Sequence, residues 1–212
     1  DSENSQFTKL LVNSWKNYGL ASQQPQWWDG YFNHTLKNEL GMVGFRAPLL
    51  GVGKGLWPSL AKNGILYDTS RVDQMSYWPQ KINGIWNFPL VGLKIVDTGK
   101  KTLSMDYNFY VADSKGVAGP ASQYSAYEDR MFRTYLAYFN TNYFGNRAPV
   151  HIGHHFSLWN GGAYWNAMQR LAKAVCSKPE VVCGTYKDLL HFVENNQDKL
   201  SSYKAGDFDK AT

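Results

Sequence analysis

Apolar residues recur along this chain at two different spacings, and the alternation between them predicts its elements. Residues 7–18 carry apolar side chains three and four positions apart, which predicts an opening amphipathic helix, and 23–33 are predicted to be partly loop. Short apolar runs then alternate with helical stretches. We predict strands at 43–45, 65–67, 85–90, 101–105, 150–156 and 181–182, and helices at 56–62, 126–140 and 163–174, with a last helix opened by Thr185 and Asp188.

Such alternation is typical of parallel strands covered by helices, so the predicted fold class is α/β. About six strands are predicted, fewer than the eight of a complete (β/α) barrel, which indicates an incomplete barrel. We expect a single domain over 1–212, made of a helical lead-in and loop at 1–42, a barrel portion at 43–195 and a polar tail at 196–212.

Composition narrows the possible partners of the chain. The net charge of +5 comes without a long Lys/Arg run, so nothing indicates nucleic-acid binding. No apolar stretch approaches the roughly 18 residues that span a bilayer. The first residues lack the basic, apolar and small-residue regions of a signal peptide. Eight Trp, fourteen Tyr and eleven Phe are enough to supply both core packing and stacking surfaces for sugars.

The two cysteines, Cys176 and Cys183, bracket a turn-like insert. We expect a disulfide that closes this loop, with two buried free thiols as the alternative. Paired cysteines accompany oxidising compartments, which predicts a secreted or periplasmic protein. Two cysteines alone are too few ligands for a tetrahedral metal site.

Arg46 lies in the segment Gly44-Phe45-Arg46-Ala47-Pro48-Leu49. Proline restricts both its own backbone and that of the residue before it, so the guanidinium is expected to leave a strand end in a fixed direction. A buried guanidinium requires a carboxylate partner, and we predict that Asp106, at the close of another strand, supplies it. The alternative for Asp106 is a turn or helix-cap residue, and Asp68 is predicted to cap the turn after its strand.

Three of the five histidines lie in the segment His151-Ile152-Gly153-His154-His155-Phe156. On a strand, His151 and His155 would share one face and His154 would lie on the other. A metal site at His151 and His155 would be incomplete without a nearby carboxylate. A strand-end histidine is suited to general acid catalysis near neutral pH, whereas a structural role is the alternative for each histidine taken singly.

These segments, in this order, resemble the NodB-type polysaccharide deacetylases, carbohydrate esterase family 4. The run from Gly44 to Pro48, followed by a helix and Gly64-Ile65-Leu66-Tyr67-Asp68-Thr69-Ser70, is similar to the third motif region of that family. Ser104-Met105-Asp106-Tyr107 resembles the fourth motif, Ile152 to His155 the fifth, and Thr185 to Leu190 the closing helix. The resemblance extends over nearly the whole chain from Val43 onward.

The resemblance implies a distorted (β/α) barrel that removes N-acetyl groups from amino-sugar polymers such as chitin or peptidoglycan. In that family a divalent metal, commonly zinc, polarises the acetyl carbonyl, an aspartate acts as base, and a histidine protonates the leaving amine. Carried over, Arg46 is the motif arginine and Asp106 the carboxylate that orients it. The acid is His154 or His155, and Tyr107, Trp159 and Trp165 line the substrate groove.

The chain departs from the family pattern at the first two motifs, an Asp-Asp sequence and a His-x-x-x-His sequence, which carry the base and the metal ligands. Neither motif occurs, and His34 has no second histidine at that spacing. We expect that a missing N-terminal segment completes the same domain. Residues 1–212 alone are expected to be inactive. The alternatives are a noncatalytic carbohydrate-binding module derived from the deacetylase fold, with Tyr164 among its stacking rings, and a scaffold without a ligand.

Overall fold

The computed structural model describes residues 43–209, so the predicted opening helix, the loop after it and His34 lie outside the described residues. The described chain forms two compact units. The first unit holds residues 43–71 and Pro79–Phe88, and the second holds Val72–Trp78 and residues 89–209. The fold is mixed α/β with two small sheets, and within 43–209 neither sheet closes into a barrel.

The first unit is a four-stranded sheet with one helix. Its strands are β1 (Gly44–Phe45), β2 (Tyr67–Asp68), β4 (Gln80–Ile82) and β5 (Ile85–Asn87), in the order β1-β2-β5-β4, and only β4 is antiparallel to its neighbour. Helix α1 (Leu56–Lys62) has the predicted bounds. It tolerates Pro58 because the first turn of a helix needs no backbone donor. Gly44 lets the Tyr67 ring lie directly against β1, because a Cβ at this position would overlap that ring.

The second unit packs long helices against a three-stranded sheet. Strand β6 (Leu90–Lys94) lies between β3 (Val72–Asp73), which is parallel to it, and β7 (Lys101–Leu103), which is antiparallel. The helices are α2 (Asp106–Ser114), α3 (Tyr124–Phe144), α4 (Trp159–Val175), α5 (Tyr186–Asn195) and α6 (Leu200–Ala205). The core cluster joins β6 to α2, α3 and α4.

Several predicted elements are confirmed. Helix α3 extends the predicted 126–140 at both ends, and its buried residues recur at three- and four-residue spacing, as an amphipathic helix requires. Thr185 caps α5 in a reciprocal arrangement with Asp188. Cys176 and Cys183 form the predicted disulfide. No helix in 43–209 has the length and apolar character that a membrane crossing requires.

Other predicted elements are wrong. The strand predicted at 85–90 is two strands in different sheets, because Pro89 cannot donate a ladder hydrogen bond and the chain changes sheets there. The segment 181–182 is irregular, since it belongs to the loop that the disulfide closes. The strand predicted at 150–156 is reduced to one bridge, Gly153 with Met105. Helix α6 was not predicted; it lies within 196–212, and its Tyr203 ring packs 5.1 Å from that of Trp78.

Candidate functional site

Asp106 is the buried centre of the candidate site in the second unit. It is the first residue of α2, where an acidic residue interacts favourably with the helix dipole. Its Oδ1 accepts a hydrogen bond from the Tyr107 backbone N–H at 2.7 Å, and its Oδ2 accepts one from the His155 backbone N–H at 2.8 Å. The helix-cap alternative for Asp106 is wrong, because Met105 is the N-cap residue of α2 and Asp106 is the first helical residue.

The His155 side chain lies against this carboxylate and faces solvent. Its Nδ1 is 2.6 Å from Asp106 Oδ1, and half of the side chain is exposed. Because a carboxylate accepts the hydrogen bond, Nδ1 carries a proton, and Nε2 is the ring nitrogen left to exchange one with a ligand. The backbone and the ring of His155 both bind Asp106, so the orientation of the imidazole is fixed at two points.

His154 lies beside the same carboxylate but is buried. Its Nδ1 is 3.8 Å from Asp106 Oδ2, its side chain is 4% exposed, and its ring packs edge-on at 6.1 Å from that of Tyr135. Its Nε2 is buried without a hydrogen-bond partner among residues 43–209. Burial lowers the pKa of His154, the charge of Asp106 raises it, and the charge of His155 lowers it. This geometry favours His155 over His154 for proton exchange with a ligand.

The lowered pKa of His154 predicts a pH-dependent stability. In the unfolded chain His154 binds a proton near pH 6.5, whereas in the folded chain it does so only at lower pH. Between these two values the unfolded state holds more protons, so the free energy of unfolding decreases as the pH falls through 6.5. We expect His154→Gln to reduce this decrease. Urea unfolding of both proteins at pH 7 and pH 5 measures it, and identical decreases would contradict the prediction.

Three aromatic rings form a wall beside His155. The Trp159 ring stacks on that of Tyr110 at 4.9 Å with nearly parallel planes, and the Tyr107 ring meets Trp159 at 5.5 Å. The rings of Tyr107 and Trp159 lie 6.1 and 5.5 Å from the imidazole of His155. Tyr107 is 46% exposed. The structure therefore brings together five predicted site residues and adds Tyr110 to them; the five are Asp106, His154, His155, Tyr107 and Trp159.

Asn160, a residue that was not predicted, anchors the start of α4 next to Trp159. The backbone of Asn160, Gly161 and Gly162 is left-handed, and a Cβ on Gly161 would overlap the Tyr124 ring. The buried Asn160 amide donates to Ser114 Oγ and to the Tyr164 hydroxyl, and its oxygen accepts from the Gly119 N–H. The Asn-Gly-Gly run was the sequence signal for this turn.

The remaining predicted residues of this unit lie elsewhere. The Trp165 ring contacts that of Phe156 at 5.7 Å, and Phe156 is largely exposed. The Tyr164 hydroxyl forms hydrogen bonds with Asn160 and Asp113 inside the unit. His151 is buried and stacks on Tyr186, so the shared strand face predicted for His151 and His155 does not exist.

Arg46 lies in the first unit, next to Thr69, and its charge acts on Asp68. Its Nε donates to Thr69 Oγ1 at 2.8 Å. Burial raises the pKa of the Asp68 carboxyl, and hydrogen bonds from Ser70 and the charge of Arg46 oppose that rise. Asp68 caps the turn after its strand, as predicted, by accepting from the Ser70 hydroxyl and N–H. Asp106 belongs to the other unit, so its pairing with Arg46 stays a prediction.

The residues around Asp106 do not fit a divalent metal. Both Asp106 oxygens accept backbone hydrogen bonds, and His155 directs Nδ1 to the carboxylate, which leaves no convergent set of lone pairs. Over the described part of the chain, no group of three or more His, Cys, Asp or Glu could hold a metal ion.

Comparisons with known proteins do not identify the chain. No protein-family model matches it, and neither does any curated protein.

Proposed function

We propose that this chain carries the proton-donating site of a hydrolase that removes N-acetyl groups from amino-sugar polymers. The observation that carries the proposal is the Asp106–His155 pair, in which a buried carboxylate holds a half-exposed imidazole at two points beside an aromatic wall. A general acid needs this combination of fixed orientation and access to the ligand. The resemblance to NodB-type deacetylases supplies the reaction and the substrate class.

In the proposed reaction water adds to the acetyl carbonyl and the bond between carbonyl carbon and nitrogen breaks. The leaving nitrogen takes a proton from His155 Nε2 and becomes the free amine, while acetate carries the oxygen that came from water. Asp106 stabilises the protonated imidazole and keeps Nδ1 protonated after the transfer. Tyr107 and Trp159 would stack on the sugar ring. The base, and the zinc that the resemblance implies, are proposed to come from residues other than 43–209.

The proposed location is an extracellular or periplasmic compartment, where glycan polymers occur. The Cys176–Cys183 disulfide supports this location because such bonds persist in oxidising surroundings.

The second candidate is a noncatalytic carbohydrate-binding function. The aromatic wall of Tyr107, Tyr110 and Trp159 favours it, since rings held rigidly at a surface can stack on sugars without any reaction. The two candidates share the ligand and differ in whether acetate is released.

Acetate release from chitin oligosaccharides and peptidoglycan glycan strands tests the proposal. The assay uses the polypeptide encoded by the complete gene, with zinc added, and isothermal titration calorimetry measures oligosaccharide binding in parallel. Acetate release would support the hydrolase, whereas binding without acetate release would support the second candidate. A protein that neither releases acetate nor binds glycan would contradict both.

Trp159→Ala is expected to weaken oligosaccharide binding about tenfold, because it removes the ring that stacks on Tyr110 and faces His155. Phe144→Ala is the matched control, since Phe144 is an exposed aromatic residue whose ring packs on Tyr143 at 5.2 Å. Calorimetric titration with chitotetraose measures both variants. Equal losses for the two variants would show that the aromatic wall is not the binding surface.

A further inference from the structure

A cleft in the second unit lies apart from the Asp106–His155 pair and has a volume of about 340 Å³. It is lined by the connection between β6 and β7, the last turns of α2 and the start of α3. Ile95, Ala112 and Pro120 give it apolar walls, and Thr98 and Gln123 add polar groups. Its volume is at the lower limit of small-molecule sites and is suited to a ligand of one ring.

The cleft carries more positive than negative charge. Its charged lining residues are Lys100, Arg130 and Asp113. The Asp113 carboxylate is 2% exposed, and both of its oxygens are already hydrogen-bonded. Arg130 donates to one oxygen and the Tyr164 hydroxyl donates to the other. Asp113 therefore neutralises Arg130 and offers little negative charge to a ligand.

Lys100 supplies the excess positive charge. Its Nζ donates to the Ala112 carbonyl at 3.4 Å, and within residues 43–209 it has no carboxylate oxygen within 4 Å, although its charge acts on Asp113. Burial raises the pKa of Asp113, whereas the charge of Arg130 lowers it. Protonation of Asp113 at acid pH would therefore increase the net positive charge of the cleft. A ligand with a single negative charge would balance the cleft at neutral pH.

We propose that this cleft binds a small organic carboxylate with hydroxyl groups, of the sugar-acid class, with its carboxylate on Lys100. The hydroxyls would pair with Thr98 and Gln123, and the apolar face of the ring would lie on Ile95 and Ala112. The site shares no residue with the proposed reaction, so it stands independently of that function.

D-glucuronate and D-glucose are the matched probes, because they differ only at C6, which is a carboxylate in glucuronate and a hydroxymethyl group in glucose. Chemical shift changes in the ¹⁵N-labelled full chain are followed during titration with each. Glucuronate is expected to shift the amides of Thr98, Lys100 and Gln123, and glucose to shift them far less. Lys100→Gln is expected to weaken glucuronate binding about fivefold, as the loss of one exposed charge contact implies. Lys101→Gln, the neighbouring exposed lysine outside the cleft, is expected to leave it unchanged.

A second variant and a third probe make the result decisive. Gln123→Trp places a bulky ring at the exposed edge of the cleft and is expected to abolish the shifts at Thr98 and Lys100. Equal binding of glucose and glucuronate, equal losses for the two lysine variants, or no saturable shift would each overturn the proposal. Binding of inorganic sulfate as tight as that of glucuronate would also overturn it, since the sugar hydroxyls and the apolar walls would then contribute nothing.

Discussion

His155→Gln is expected to lower the rate of acetate release by roughly 100-fold or more, because a positioned general acid contributes about 10² to 10⁴ to a rate. Glutamine can still occupy the space beside Asp106, but it cannot deliver a proton at neutral pH. Oligosaccharide binding is expected to survive, since the wall of Tyr107, Tyr110 and Trp159 remains intact. The measurement is acetate release by the polypeptide of the complete gene, with calorimetric binding in parallel.

Two further histidine variants make this experiment specific. His154→Gln is expected to reduce acetate release much less, because His154 is buried and its Nε2 faces no ligand-accessible surface. His191→Gln, at an exposed position on α5, is expected to have no effect. If His154→Gln removed more activity than His155→Gln, the assignment of the proton donor would be reversed.

Asp106→Asn is expected to lower the free energy of unfolding by about 1 to 3 kcal/mol, the cost of leaving a partly buried backbone donor unsatisfied. The two carboxylate oxygens accept from the N–H groups of Tyr107 and His155, on opposite sides. An asparagine side chain has one oxygen, so in either orientation its NH₂ group faces one of these donors. Urea unfolding of the two proteins at pH 7 measures the difference.

Asp73→Asn is the control for this substitution. Asp73 accepts one hydrogen bond, from the Gln74 N–H at an exposed position, and asparagine can keep that bond. Its effect is expected to stay within about 0.5 kcal/mol, as for most surface substitutions. Equal destabilisation by both variants would show that Asp106 is not the structural centre that its contacts indicate.

The sequence predicted helices better than strands, and the difference has a physical cause. Helix α1 was predicted with its observed bounds, and the Thr185 cap of α5 was predicted from its own residues, because helix signals are local. Strands β3 and β4 were missed, and 150–156 was predicted as a strand in error. Strand pairing depends on partners far along the chain, so a short apolar run does not reveal whether one is available.

The same distinction applies to the candidate site. Asp106, Tyr107, His154, His155 and Trp159 were all recognised as chemically suited residues. The sequence assigned candidate roles to them, but it left open whether His154 or His155 is the proton donor and treated Asp106 chiefly as the partner of Arg46. The positions of the two adjacent histidines follow from α2 and α3, since Asp106 at the start of α2 binds both N–H groups of His155 while Tyr135 on α3 covers His154.

By itself the sequence determined the α/β class, the helix ends with local capping signals, the Cys176–Cys183 pairing and the set of residues with useful chemistry. Those features depend on residues close together along the chain or on composition. Only the tertiary structure decided that His155 is exposed and His154 buried, that Trp159 stacks on Tyr110, and that the charge of Arg46 acts on Asp68 in its own unit. Burial and contact between distant residues arise from packing, which no local pattern encodes.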